Sequence, residues 1–182
     1  MVLRVENFRF SRSLRQTLKR WLLQPGFSLT FNRDFSQVID RCSKAPRAGQ
    51  SGTWIVPAMV AAYEDLHRAG HAHSAEVWLD GELLAGLYFV ALGHAVFGES
   101  MFTTVTDGSK MALASLVSVC TTHGVLAIDC QQNTRHLASL GAQEMPRADF
   151  LALVEHGRQK PPIEWNTQTL YWRALTSMDT TS

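Results

Sequence analysis

Polar and apolar positions alternate along Ser74-Ala75-Glu76-Val77-Trp78-Leu79, the period-2 mark of a half-buried strand. Asp80-Gly81 comes next, and because both residue types tolerate positive φ, the pair is a strong hairpin signal. The return run from Leu83 to Leu92 is almost wholly apolar, which suits a central strand covered on both faces. Gly93 breaks that run, Ala95-Val96-Phe97 makes a third short strand, and Glu99 is expected in a turn, Gly98-Glu99-Ser100-Met101, beside the sheet. The rest of the chain is organised around this stretch, which begins at a helix stop, Ala69-Gly70.

Helical periodicity fills the flanks. Residues 11–24 read as an amphipathic helix with Ser11 as N-cap. Leu14, Leu18, Trp21 and Leu22 share one face, and Arg12, Arg15, Lys19 and Arg20 share the other, joined by Arg9 if the helix starts earlier. Pro25-Gly26 ends it, Phe27 to Phe31 is a strand, Asp34 to Cys42 a helix, and Lys44 to Thr53 an exposed loop. Pro57 opens a helix to Ala69 that is expected to bury Met59, Val60, Tyr63 and Leu66. Trp54, at the loop-to-helix junction, is either a core aromatic or one wall of an apolar pocket.

Asp107 is placed to cap a helix running to His123, with Met111, Leu113, Leu116, Val117 and Cys120 apolar and Gly124 closing it. Val125 to Ile128 then reads as a buried strand that ends in Asp129-Cys130-Gln131. On an extended backbone Asp129 and Gln131 project to the same side. That pair forms a site, or Asp129 caps the next helix, which runs from near Asn133 to Gly141. A further helix spans Arg147 to His156, Thr169 to Trp172 suggests an edge strand, and Ser177 to Ser182 a frayed end.

With 182 residues, 46% hydrophobic and 18% charged, residues 1–182 suit one globular α/β domain with a full-sized core. No apolar run reaches the roughly 18 residues of a membrane span, and no signal-peptide pattern is present. The three cysteines, Cys42, Cys120 and Cys130, share no metal-type spacing and read as cytosolic thiols. The seven histidines include His71 and His73 on one side of a strand, but no third ligand accompanies them. His94, His123 and His156 stand beside glycines as turn residues, so no metal is expected.

Charge changes the picture more. The net charge is +1, yet residues 1–24 hold six Lys/Arg against one acid, leaving eleven bases and fifteen acids elsewhere. No acid lies at i±4 to neutralise the stripe Arg12, Arg15, Lys19 and Arg20. It is a solvated face or a phosphate-binding one.

GTW at 52–54, GHAHSAEVW at 70–78, FGESMF at 97–102, SK at 109–110, IDCQ at 128–131, HLASLGA at 136–142 and PRADFL at 146–151 carry a resemblance. In order and approximate spacing, over about residues 8 to 165, they resemble the leucyl/phenylalanyl-tRNA–protein transferase family. The resemblance implies an α+β, GNAT-like acyltransferase fold with a mixed, mostly antiparallel sheet flanked by helices. It implies transfer of Leu or Phe, with Met a further candidate, from aminoacyl-tRNA to proteins beginning with Arg or Lys, marking them for degradation. No cofactor or metal is implied, nor any membrane, and the expected state is a cytoplasmic monomer.

Carried over by position, the resemblance puts the catalytic pair on Asp129 and Gln131, with Glu99 lining the same site. It puts the aminoacyl pocket on Trp54, Leu87, Val96, Leu116 and Ile128, and the acceptor-stem contacts on Arg12, Arg15, Lys19 and Arg20. The family pattern also has a segment ahead of the basic helix that supplies part of the pocket, which this sequence does not include. The family's Ser-Arg after GESMF is Thr103-Thr104 here.

The chemistry needs little beyond alignment, a free amine and charge stabilisation, because the donor ester is already activated. An amide is too weak a base to hold a proton. Gln131 is therefore expected to orient the amine through its carbonyl while Asp129 supplies negative charge or takes the proton. Glu99 then holds the adenosine sugar or the incoming amine. Two other readings stay open: a tRNA-binding protein without catalysis, and a CoA-dependent N-acetyltransferase. The latter calls for a Gln/Arg-x-x-Gly-x-Gly/Ala loop, which the sequence lacks.

Overall fold

A computed structural model describes residues 1–45 and 55–166. Its strands are β1 (Val2–Arg4), β2 (Phe27–Phe31), β3 (Ala72–Leu79), β4 (Glu82–Leu92), β5 (Ala95–Thr103) and β6 (Ala127–Asp129). Its α-helices are α1 (Arg12–Leu22), α2 (Phe35–Lys44), α3 (Pro57–Arg68), α4 (Gly108–Thr122), α5 (Arg135–Ser139) and α6 (Arg147–Arg158). The six strands form one sheet in the order β1-β6-β5-β4-β3-β2. Every neighbouring pair is antiparallel except β5 and β6. The α+β class expected of the sequence, a mixed, mostly antiparallel sheet flanked by helices, is the class observed.

Asp80 and Gly81 make the β3–β4 turn with φ of 49° and 82°, the left-handed values that this dipeptide was expected to supply. Alternation along β3 and β4 then feeds two cores. Ala75, Val77, Ala85, Leu87 and Phe89 join the larger one with α4 and with Leu14 and Leu18 of α1. Trp78, Leu83 and Tyr88 join the smaller one with Phe35, Val38, Ile39 and Cys42 of α2. α4 is buried nearly all round, because its small residues admit close packing between the sheet and the N-terminal segment.

Glu76 is the polar exception in β3, fully buried at 0% exposure. Its carboxylate accepts from Arg33 N (3.2 Å), Asp34 N (3.0 Å), Ser74 Oγ (2.8 Å), Trp78 Nε1 (3.0 Å) and the Thr30 hydroxyl. Five donors replace the water it loses, and they fix the β2–α2 turn onto the sheet. Arg33 also lies 4.2 Å over the Trp78 ring.

Several expectations need correction. Glu99 lies within β5, which is nine residues long, not in a turn after a short strand. α3 buries none of its residues, and Leu66 is 38% exposed. Leu22 of α1 is likewise exposed, and α1 begins at Arg12, so Arg9 stays outside it. Asp107 precedes α4 in the left-handed region (φ 62°) without a side-chain cap, and binds Lys110 Nζ at 2.7 Å instead. The strand β1 carried no period long enough to signal it. Trp54, most of the 44–53 loop and the 169–182 tail lie outside the described residues.

Candidate active site

β5 and β6 pair at only two positions, Val96 with Ile128 and Phe97 with Asp129. Beyond them β5 continues along β4 while β6 stops, which opens a notch in the sheet. Gly98 sits at the fork, where an added Cβ would lie 3.3 Å from the Asp129 carbonyl oxygen. Register along β4 pairs Tyr88 with Ser100 and Phe89 with Gly98, so Glu99 is the extra residue of a β-bulge. Bulges re-aim a side chain and strengthen local twist. Here the bulge turns Glu99 toward α3 and the loop after β6.

That loop departs from the extended path expected of it. Gln131 has φ 57°, and its backbone N–H donates to Asp129 Oδ1 at 2.8 Å, an Asx-type turn. Asp129 and Gln131 come together because the chain folds back, not because they alternate along a strand. Asp129 does not cap the next helix either. Thr134 does, accepting from Leu137 N at 3.2 Å.

Gln131 Nε2 donates to Glu99 Oε2 at 3.0 Å, and the Tyr63 hydroxyl donates to the same oxygen at 2.9 Å. With its nitrogen committed to a carboxylate, the amide has its carbonyl oxygen left as an acceptor, one that makes no hydrogen bond among the described residues. Burial, then the hydrogen bond to Glu99 and its charge, hold the Tyr63 phenol above its ordinary pKa, so it stays a donor. The Tyr63 ring packs edge-on to Tyr88 with centroids 5.0 Å apart. Sequence reasoning placed Tyr63 in the core and missed this role. The available signal was a hydroxyl on an otherwise apolar helix face, which needs a partner when covered.

Among the described residues neither Glu99 nor Asp129 is ion-paired. Two carboxylates without a fixed cation attract an ammonium or guanidinium group. Asp129 also lines a cleft with Ala95, Val96, Phe150, Leu153 and Val154, under α6. Leu87, Val96, Leu116 and Ile128 are brought together, all only 1–3% exposed, in the larger core.

Of the basic stripe, Arg12, Lys19 and Arg20 are exposed. Arg15 is half-buried, its guanidinium 5.5 Å from the Phe10 ring centre and its Nε buried without a hydrogen-bond partner among the described residues. None of the four is ion-paired among the described residues. α1 packs in the larger core on the α4 side, whereas Tyr63 lies with the smaller core on the other. Just ahead of α1, Arg9 N donates to the carbonyl of Leu140, the residue after α5, at 2.9 Å. No group of three or more His, Cys, Asp or Glu among the described residues is placed to hold a metal. No described helix is long and apolar enough to cross a membrane.

The family model described as leucyl/phenylalanyl-tRNA protein transferase matches residues 2–155. A leucyl/phenylalanyl-tRNA–protein transferase from Polaromonas sp. (strain JS666) is 53% identical over 175 residues, covering 96% of this chain and 69% of the relative. One from Albidiferax ferrireducens is 50% identical over 182 residues, covering 100% of this chain and 72% of the relative. Among solved structures, L-PGS from Bacillus licheniformis aligns with a TM-score of 0.45 and 12% identity over 84% of this chain and 55% of that one. The family match over most of the sequence, with half of all positions identical in curated relatives, shows that the chain belongs to the leucyl/phenylalanyl-tRNA–protein transferase family.

Proposed function

We propose that this chain, as one transferase domain over residues 1–182, moves Leu or Phe from aminoacyl-tRNA to the α-amine of proteins beginning with Arg or Lys. Met is a weaker third donor, since an apolar pocket separates such side chains by only about 1–3 kcal/mol. The product is a marked N-terminus that directs the protein to degradation. The enzyme works as a cytoplasmic monomer without a cofactor.

The single observation that carries the mechanism is the shared Glu99 oxygen, which engages the Gln131 amide nitrogen and leaves its carbonyl to accept from substrate. The acceptor amine, once neutral, donates one N–H to that carbonyl and directs its lone pair at the ester carbon. The C–N bond forms, the ester C–O bond breaks, and the tRNA 3′-oxygen leaves with the proton the nitrogen gives up. Asp129, held by the Gln131 backbone, offers its carboxylate to the developing positive charge on nitrogen. Glu99 and Asp129 together favour a cationic first residue in the acceptor. Leu87, Val96, Leu116, Ile128 and Trp54 supply the apolar surround for the aminoacyl side chain, and Arg12, Arg15, Lys19 and Arg20 the phosphate contacts.

The test is mass analysis of an N-terminal Arg peptide after incubation with leucyl- or phenylalanyl-tRNA. A gain of one leucyl or phenylalanyl residue on the α-amine is expected. Binding of tRNA without that gain would favour a non-catalytic tRNA-binding role, and acetyl transfer from acetyl-CoA an N-acetyltransferase.

A further inference from the structure

The carboxylates of the notch lie on one side of the sheet, and the residues assigned to the aminoacyl side chain lie on the other. Val96 and Ile128, paired across β5 and β6, belong to the larger core with Leu87 and Leu116, on the α4 side. Side chains alternate along a strand, so Ala95 and Phe97 of β5, and Ala127 and Asp129 of β6, take the opposite side. Ala95, Ala127 and Asp129 accordingly line the cleft under α6, and Phe97 pairs with Val90, which packs against the smaller core. Glu99 is on this side as well, because its partner Tyr63 packs against the same core.

The fork between β5 and β6 thus joins two faces. An amine attacks an ester carbon from outside the ester plane, so donor and acceptor leave the reacting centre in different directions. With the aminoacyl side chain on the α4 side, the acceptor chain leaves on the α6 side. There Glu99 and Asp129 offer negative charge to a basic first residue.

The cleft under α6 begins at that point. Asp129 is the one acid among the described residues that line it, and Ala95, Ala127, Phe150, Leu153 and Val154 give it apolar walls. Its far end is narrow, because Gly157 brings α6 against β5: an added Cβ there would lie 2.7 Å from Ala95 N. Consecutive Cα atoms are about 3.8 Å apart, so an α-amine held at Asp129 leaves the second residue within reach of these walls. In an extended chain the first two side chains point to opposite sides. The basic one then turns toward Glu99 and the second toward α6. We infer that the cleft under α6 is a subsite for the second residue of the acceptor polypeptide, taking a small apolar side chain and rejecting an acidic one. It rests on the transferase reading above and adds a preference that the first residue does not determine.

The experiment measures kcat/KM for transfer from leucyl-tRNA to otherwise identical peptides that begin Arg-Gly, Arg-Val, Arg-Leu and Arg-Asp. Wild-type protein is expected to favour Arg-Val over Arg-Gly by about tenfold, the lower end for added apolar carbon in a pocket. Arg-Asp should be used less well than Arg-Gly. Ala127→Leu fills the cleft from the sheet and should bring the Val-to-Gly ratio close to one, mainly by raising KM for Arg-Val. Leu153→Ala opens it from α6 and should move the preference toward Arg-Leu. Each ratio is taken within one preparation, so a partly unfolded variant does not imitate the effect. Equal kcat/KM for Arg-Gly and Arg-Val, or a ratio unmoved in both variants, would overturn the inference, while transfer to Arg-Gly keeps the transferase reading. Variants that change the preference between leucyl- and phenylalanyl-tRNA but not between acceptors would give the cleft to the aminoacyl side chain and also overturn it. Transfer to none of the peptides would refute the transferase reading and the inference with it.

Discussion

Gln131 reaches across the fork between β5 and β6 and donates its side-chain amide to Glu99 at 3.0 Å. The bond ties a residue in a left-handed turn to the extra residue of a bulge, so two irregularities meet at one point. Strain and irregular register of this sort concentrate where a site is held. The orientation of the Gln131 carbonyl, and with it the proposed alignment of the amine, depends on this bond.

Replacing Gln131 by Glu should therefore disable transfer while leaving the fold intact. A second carboxylate 3 Å from Glu99 either repels it or takes up a proton. Either outcome loses the fixed carbonyl. Steady-state kinetics should show kcat down by about 10²-fold, with little change in thermal stability because Gln131 is exposed. Full activity in this variant, together with full activity in Asp129→Asn, would contradict the assigned roles.

Tyr63→Phe tests the other donor to Glu99. It removes a hydroxyl without disturbing the ring packing against Tyr88. A loss of about 0.5–1.5 kcal/mol in unfolding free energy is expected, with a drop of roughly tenfold in kcat as Glu99 and then Gln131 gain freedom. Chemical denaturation and single-turnover kinetics measure the two effects separately.

How much of this was legible beforehand differs by element. Asp80-Gly81, Ser11, Asp34 and Pro57 announced their turns and helix starts, since each uses a local backbone or side-chain device. β1 was not legible, because three residues hold no period and its pairing partner, β6, is more than 100 residues away. The sequence placed Asp129, Gln131 and Glu99 together, as the structure does, but not the geometry by which they meet. A left-handed Gln and a bulge are imposed by tertiary packing, and neither is written in local propensity. The exposure of Leu66 was missed for a related reason: helical period shows which residues share a face, not whether anything covers it.

The basic helix should respond to salt and charge as a phosphate-binding surface does. Lys19→Ala and Arg20→Ala are each expected to weaken tRNA binding. Each should also lower the slope of log affinity against log salt by about 0.7–0.9 for every phosphate the variant no longer neutralises. Arg15→Ala should also cost stability, because its guanidinium packs on Phe10. Filter binding across a salt series, with thermal melts of the same variants, distinguishes these outcomes.

Glu76 predicts a purely structural effect. Its carboxylate satisfies five donors while fully buried. Glu76→Leu leaves them all without an acceptor and should destabilise the protein by about 3 kcal/mol or more. Urea denaturation reads this directly.

Acid should act through His73. Asn32 Nδ2 lies 3.2 Å from His73 Nδ1, a bond that needs the neutral ring as acceptor. Burial, then the charges of His67 and His71, bring its pKa down from 6.5 to about 4. The unfolded chain binds the proton more readily than the folded one between those values. Stability from this group is thus fully present above about pH 6.5 and is lost as pH falls toward 4. Melting temperature measured across that window should fall on acidification, and His73→Gln should flatten the dependence.

The central claim is that the notch joins an activated aminoacyl group to a free α-amine. Folded protein should be given radiolabelled phenylalanyl-tRNA and two peptides that differ only in whether the N-terminal Arg is acetylated. Label is expected in the free peptide alone, abolished by Gln131→Glu. Label in neither peptide, or equally in both, would contradict it.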